Sequence, residues 1–271
     1  MHITQLLYKT DLRALTAEMA KIKRQSKPIF TNYCLNTPND AEYEAMLDSG
    51  ALAFTYNDND INRICFYGNN EAALINMLSL FQRGSVIDYV SRDSAPFGAS
   101  LADAGFNCYA VMQRMVNPDL RATFSRNLSR NALDVLCSER VGHATEEDAM
   151  QIMRMLYKHL DKNTGHFCHI SELITLAKNG NVMCAKENGE ISCFFIFKIE
   201  GRKLYGYQMY SEKPGESLHS IYYNAISEQI GNGINYAYNW VDSMNKRVIR
   251  FHKWYGFELS PLKDYVYVKG R

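Results

Sequence analysis

The stretch Asn245-Lys246-Arg247-Val248-Ile249-Arg250-Phe251-His252-Lys253-Trp254-Tyr255-Gly256-Phe257-Glu258 decides how this chain is read. A short helix is predicted from Asn245 to Tyr255, and the pair Gly256-Phe257 follows it. Beyond it the run Tyr265 to Lys269 has strand composition. Ahead of it, after Gly231-Asn232-Gly233, Ile234 to Val241 reads as another strand. Strand, short helix, Gly-Phe and strand therefore follow one another. The same succession occurs earlier in the chain. Gly84 precedes the Gly105-Phe106 pair by 21 residues, and Gly233 precedes Gly256-Phe257 by 23, with a strand and a short helix inside each interval.

Working outward, the two halves keep matching. In the second, Thr145 and Asp148 open an amphipathic helix bearing Ala149, Ile152, Met153, Leu156, Tyr157 and Leu160. A short helix spans Ser171 to Lys178. A three-strand meander follows, with turns at Glu187-Asn188-Gly189 and Glu200-Gly201. After Pro214-Gly215 comes a helix carrying Leu218, Ile221, Tyr222, Ala225, Ile226 and Ile230. In the first half, Leu12, Leu15, Met19 and Ile22 mark a helix capped by Asp11. Thr37, Pro38 and Gly50 predict a second short helix. Ala51 to Tyr56 and Ile61 to Tyr67 read as strands, Gly68 opens a helix carrying Leu74, Met77, Leu78 and Phe81 that ends at Gly84, Val86 to Val90 reads as a strand, Ser94 to Ala104 as a helix and Asn107 to Val116 as a strand. The reading is an α/β (α+β) chain of two tandem copies, each a mixed, mostly antiparallel sheet flanked by helices. Domains are expected over 1–120 and 134–271. The polar stretch 117–133 is the expected connector, with residues 121–133 as the linker proper.

Composition narrows the function. Of 271 residues, 46% are hydrophobic and 22% charged, and 30 Lys plus Arg balance 29 Asp plus Glu to a net +1. So even a balance argues against a nucleic-acid sleeve or a polybasic membrane anchor. No apolar run approaches the roughly 18 residues of a membrane span. The start, Met-His-Ile-Thr-Gln, lacks the basic and apolar regions of a secretion signal, so a cytoplasmic location is expected. Seven dispersed cysteines without a Cys-x-x-Cys pair fit a reducing compartment. Eighteen tyrosines against two tryptophans suit either half-wet strands or a ligand groove.

The order helix, helix, meander, glycine-bearing turn, helix, strand, helix, Gly-Phe, strand resembles the GCN5-related N-acetyltransferase (GNAT) superfamily. The stretch from Asn245 to Glu258 is similar to that family's C-terminal motif. Met209-Tyr-Ser-Glu-Lys-Pro214-Gly215-Glu-Ser217-Leu218-His219-Ser220 aligns without gaps on its pyrophosphate loop, Val-x-Pro-x-x-(Arg/Gln)-Gly-x-Gly-x-(Gly/Ala). The likeness is closest over about 130 C-terminal residues and holds in outline for the first half. In such a loop, successive N–H groups at a helix N-terminus receive the coenzyme A pyrophosphate. Gly215 is kept, Pro214 supplies no donor, and Ser217 and His219 stand where glycines are usual. A ring at 219 either crowds the phosphates or donates to them, and Lys213 is the nearby cation. Gly68-Asn69-Asn70-Glu71 in the first half forms no comparable loop.

The resemblance implies direct acyl transfer from acetyl-CoA or another acyl-CoA to an amine. That chemistry needs a base, an oxyanion donor and an acid for the leaving thiolate. It implies a coenzyme site of Met209, Tyr210, Ser211, Lys213, Gly215, Glu216, Ser217, Leu218 and Asn245, with a backbone N–H of Met209 to Ser211 facing the oxyanion. The acid aligns on His252, with Tyr255 a second candidate, and Glu212 is the candidate base. His159, His166, Cys168 and His169 fall within eleven residues, but their spacing matches no common zinc pattern, so no metal is assigned. That loop instead fits a wall of the acceptor groove. The expected partners are coenzyme A and an amine-bearing acceptor, with neither membrane nor nucleic acid. Two other readings stay open: a non-catalytic GNAT-like scaffold, or a transferase whose donor is an aminoacyl-tRNA or acylated carrier protein.

Overall fold

The computed structural model describes residues 8–25, 28–32, 42–92, 97–127, 141–212 and 215–270. The first half runs β1 (Tyr8–Thr10), α1 (Leu12–Lys23), β2 (Phe30–Thr31), β3 (Tyr43–Asp48), β4 (Ala51–Asp58), β5 (Ile61–Gly68), α2 (Glu71–Ser79), β6 (Val86–Ser91), α3 (Gly98–Asp103) and β7 (Phe106–Asn117). Helix α4 (Leu120–Asn127) follows. The second half runs β8 (Val141–His143), α5 (Ala149–His159), α6 (Ile170–Lys178), β9 (Val182–Glu187), β10 (Glu190–Glu200), β11 (Lys203–Ser211), α7 (Glu216–Gly231), β12 (Tyr236–Asp242), α8 (Lys246–Trp254) and β13 (Glu258–Lys269).

The expected punctuation accounts for most of these ends. Asp11 accepts a hydrogen bond from the Ala14 N–H at 2.8 Å and starts α1. Thr145 and Asp148 form a reciprocal capping box ahead of α5. Asn188 and Gly189, at φ 54° and 86°, turn β9 into β10.

The chain forms two compact units. Unit 1 is Met1–Met112 with Leu262–Arg271, and unit 2 is Gln113–Pro261. Unit 1 has the strand order β1-β3-β4-β5-β6-β13-β7 with β2 added to β5, and unit 2 the order β7-β12-β11-β10-β9-β8. Each unit is thus completed by the last strand of the other half. β13 pairs antiparallel with β6, Lys263 facing Ser91 and Val268 facing Val86. In the strand order β7 neighbours β12.

Both units are three-layered, because strand alternation sends successive side chains to opposite faces. In β4, Ala51 and Ala53 join a core with Leu74 and Met77 of α2 and Leu101 of α3. Leu52 and Phe54 join Leu15, Met19 and Ile22 of α1. In β10, Cys193, Phe195 and Phe197 pack with Ile221, Tyr222 and Ala225 of α7, while Phe194 and Ile196 pack with α5 and α6.

Two expectations are corrected. The short helix predicted to end at Gly50 is a strand over Tyr43–Asp48, and Thr37 and Pro38 lie outside the described residues. Gly50, at φ 79°, turns a hairpin from β3 to β4 instead of closing a helix. The polar connector begins as helix α4. Leu120 and Phe124 are buried there, and about 1.5–3 kcal/mol for each such side chain outweighs the polar composition around them. Among the described residues no helix is long and apolar enough to cross a membrane.

Candidate functional site

The site is built on the third strand of the second meander. β11 and β12 run parallel only over Lys203–Gly206 and Tyr236–Asn239. Past Gly206 the two strands part, while β11 continues along β10 to Ser211. At the parting point Ile196 faces Gln208 and Phe197 faces Gly206, which leaves Tyr207 as an extra residue, a bulge that re-aims the strand. The Glu212 N–H donates to the Ser192 carbonyl at 3.0 Å. By the alternation of an antiparallel ladder, the Met209 and Ser211 N–H groups point the other way, into the opening.

The side chains of β11 take different faces. Met209 packs on the α7 side. Tyr210 packs on the α5 side, where the His159 ring stacks on it at a centroid distance of 4.3 Å. The Tyr207 hydroxyl donates to the His166 carbonyl and fastens the loop before α6 to the strand. In that loop Cys168 is 1% exposed, and burial pushes its thiol up to about 11, which leaves no thiolate to act as nucleophile at neutral pH. His169 is the exposed residue ahead of α6.

Helix α7 starts four residues beyond Glu212, at Glu216, with Gly215 as its N-cap. No side chain caps it, and a Cβ at Gly215 would meet no atom within 4 Å. The backbone bond from His219 N–H to the Gly215 carbonyl, 3.4 Å, closes the first turn. The N–H groups of Glu216, Ser217 and Leu218 are the donors a helix leaves unsatisfied at its start, and the dipole makes that end attractive to anions. Leu218 is half-buried against the unit 2 core. Lys213, Pro214 and the Glu216 side chain lie outside the described residues. Glu212 is exposed at the end of β11.

Tyr255 follows α8 and is 3% exposed. Its hydroxyl lies 3.0 Å from His219 Nδ1 and donates to the His219 carbonyl at 3.2 Å. Burial raises this phenol well above its ordinary range, so it stays protonated. The His219 ring leans on Phe251, Trp254 and Tyr255 of the α8 segment, and its own burial lowers its pKa. The ring at 219 is thus turned toward α8, where burial disfavours its charged form. Asn245 caps α8 by accepting from the Val248 N–H at 3.2 Å.

His252 lies in the core. It aligns with the family's acid, yet it is 4% exposed and burial drives its pKa down to about 3. Asn239 Nδ2 lies 2.9 Å from Nδ1, and the Tyr222 hydroxyl is 3.3 Å from the same nitrogen. A neutral, enclosed imidazole has no proton of suitable acidity to give a thiolate. The sequence had no signal for this polar trio, because Asn239, Tyr222 and His252 come from a strand and two helices.

No family model matches the chain, and no curated protein matches it either. Solved structures do. A GCN5-related N-acetyltransferase from Sphaerobacter thermophilus is similar over 88% of this chain and 84% of its own, at 10% identity and a TM-score of 0.55. A tandem GNAT protein from the clavulanic acid biosynthesis pathway is similar over 97% and 98%, at 9% identity and a TM-score of 0.55. A probable N-acyltransferase from Enterococcus faecalis is similar over 97% and 72%, at 9% identity and a TM-score of 0.54. The chain therefore has the GNAT fold. More narrowly, it has that fold in its tandem form, over essentially its whole length.

Proposed function

We propose that unit 2 is an acyltransferase site that moves an acyl group from acyl-CoA, acetyl-CoA first among the candidates, to an amine of an acceptor. The observation that carries this reading is the parting of β11 from β12 after Gly206, followed at once by the uncapped N-terminus of the long helix α7. A thioester carbonyl placed in the opening meets the Met209 N–H. The pyrophosphate meets the N–H groups of Glu216, Ser217 and Leu218, with Lys213, close by in the sequence, as the candidate cation and Asn245 a further coenzyme contact through its amide nitrogen. Tyr210 and Ser211 line the same strand.

The acceptor nitrogen, once it has given a proton to Glu212, attacks the thioester carbon. The carbonyl oxygen takes the negative charge and is held by the Met209 N–H. Collapse of the tetrahedral species expels the coenzyme thiolate, which takes the Tyr255 proton, and the second proton of the attacking nitrogen passes to the Tyr255 oxygen, leaving the neutral amide. Burial holds that phenol in its protonated form, so the proton is present when the thiolate leaves. Unit 1 is the companion copy, without a comparable phosphate loop. The scaffold reading draws on one observation, that His219 leans its ring on α8, where burial disfavours its charged form.

Titration with acetyl-CoA, followed by calorimetry and by thermal unfolding, tests the reading. At about a hundred times Kd, a ligand of the native state adds about 2.7 kcal/mol, a rise in Tm of several degrees. No heat and no rise at millimolar coenzyme would end the acyl-CoA reading and leave the scaffold or a donor other than acyl-CoA.

A further inference from the structure

Unit 1 has the same fork as unit 2, and there the fork is filled. β5 and β6 are parallel, like β11 and β12, and are in register only at Arg63 and Val86. β4 covers one edge of β5 along its whole length, Ala51 facing Gly68 and Asp58 facing Ile61. The other edge, beyond Arg63, is taken by β2, with Phe30 facing Gly68 and Thr31 facing Tyr67. Asn32 continues β2 into the angle between the strands. Its Nδ2 donates to the Ile64 carbonyl of β5 at 2.8 Å and to the Asp88 carbonyl of β6 at 3.0 Å. Its Oδ1 accepts from the Phe66 N–H at 2.7 Å. Among the described residues, no strand is added to β11 in this way.

The correspondence extends to single atoms. Phe66 stands three residues beyond the last parallel pair of β5, and Met209 three beyond that of β11. The Asn32 carboxamide oxygen thus occupies, in unit 1, the place of a carbonyl on the Met209 N–H in unit 2. The helix after each strand shows the same difference. The start of α2 is capped by Asn70, whose Oδ1 accepts from the Ala73 N–H at 3.2 Å, whereas α7 has no side-chain cap.

We propose that unit 1 holds its donor cleft in a self-occupied form, with Phe30 to Asn32 as the occupant and the Asn32 carboxamide in the position of the acyl carbonyl. The chain then carries one acyl-donor site, not two. This rests on the reading of the β11 fork as the donor site. The physical reason is satisfaction of the backbone: a parted parallel pair leaves N–H and C=O groups on both strands, and a short antiparallel segment ending in a carboxamide satisfies both edges together.

Two measurements on the native protein and one variant test it. In amide hydrogen exchange the Phe66 N–H is slow, and Asn32→Ala speeds it by about tenfold or more relative to the Met77 amide in α2. Calorimetry with acetyl-CoA gives a stoichiometry of one per chain, in the native protein and in Asn32→Ala alike. A fast Phe66 amide in the native protein, or one unchanged in the variant, overturns the self-occupied cleft. So does a stoichiometry of two. Absence of any acetyl-CoA binding removes the donor reading of unit 2, while the exchange rates still decide whether Asn32 fills the unit 1 fork.

Discussion

The Tyr255 hydroxyl lies 3.0 Å from Nδ1 of His219, so the residue that ends α8 is tied to the first turn of α7. The link places a protonated phenol beside the start of the helix that follows β11. Tyr255→Phe keeps the ring in the core and removes the proton. We expect kcat to fall by about a hundredfold or more with KM for acetyl-CoA nearly unchanged, since the group acts only as the thiolate leaves. An unaltered kcat removes Tyr255 as the acid.

Glu212→Gln at the exposed end of β11 removes the candidate base. The expected result is a fall in kcat/KM of about a hundredfold near neutral pH, with the remaining activity rising as the acceptor amine deprotonates at higher pH. A profile that overlays the native one reassigns the base.

His252 predicts how stability depends on pH. Its folded pKa is depressed to about 3 from an ordinary 6.5, so between these values only the unfolded chain binds the proton. Stability from this residue is complete above pH 6.5 and is lost as pH falls toward 3, by about 1.4 kcal/mol per pH unit in the middle of that window. Urea unfolding of the native protein and His252→Gln between pH 4.5 and 7 measures it. The variant curve should be flatter by that amount, and equal slopes would refute the enclosed neutral imidazole.

Gly256, at φ 80°, admits no Cβ. An added methyl would lie 2.7 Å from Thr123 Cγ2 and 3.3 Å from Asn117 Nδ2, on top of the strain of the left-handed backbone. Gly256→Ala should cost about 1–3 kcal/mol in denaturant unfolding, with a loss under about 0.5 kcal/mol counting against the close approach of α4.

Arg63, 1% exposed, holds Asp58 at 2.6 Å and Asp88 at 2.8 Å where β5 and β6 part. Arg63→Met takes the guanidinium away from both carboxylates and should cost about 3–5 kcal/mol. Restoring neutrality with Asp58→Asn and Asp88→Asn on the same chain should recover most of the loss. A triple variant no more stable than the single one shows packing, not charge, to be the cause.

Much of this molecule is legible in its residues. The meander–helix–strand–helix–strand succession is written in Gly-Phe pairs, in caps such as Asp11 and Thr145, and in the turn at Asn188-Gly189, because each acts over a few residues of chain. Where the signal was ambiguous the reading failed. Tyr43, Ala45 and Met46 lie between turn residues, and only pairing with β4 makes them a strand. Leu120 and Phe124 sit among polar residues, and only a core to enter makes them a helix.

At the site, the sequence by itself determined that β11 would lead into a glycine-started helix, since these are neighbours in the chain. Tertiary structure decided the rest. It enclosed His252 with Asn239 and Tyr222 and so took away its charge, and it brought Tyr255 to His219 across 36 residues. It also set Asn32 into the fork beside Phe66, 34 residues further on. Burial and hydrogen bonding depend on which segments meet. A local pattern of caps, turns and periodicity fixes the segments and carries no record of those meetings.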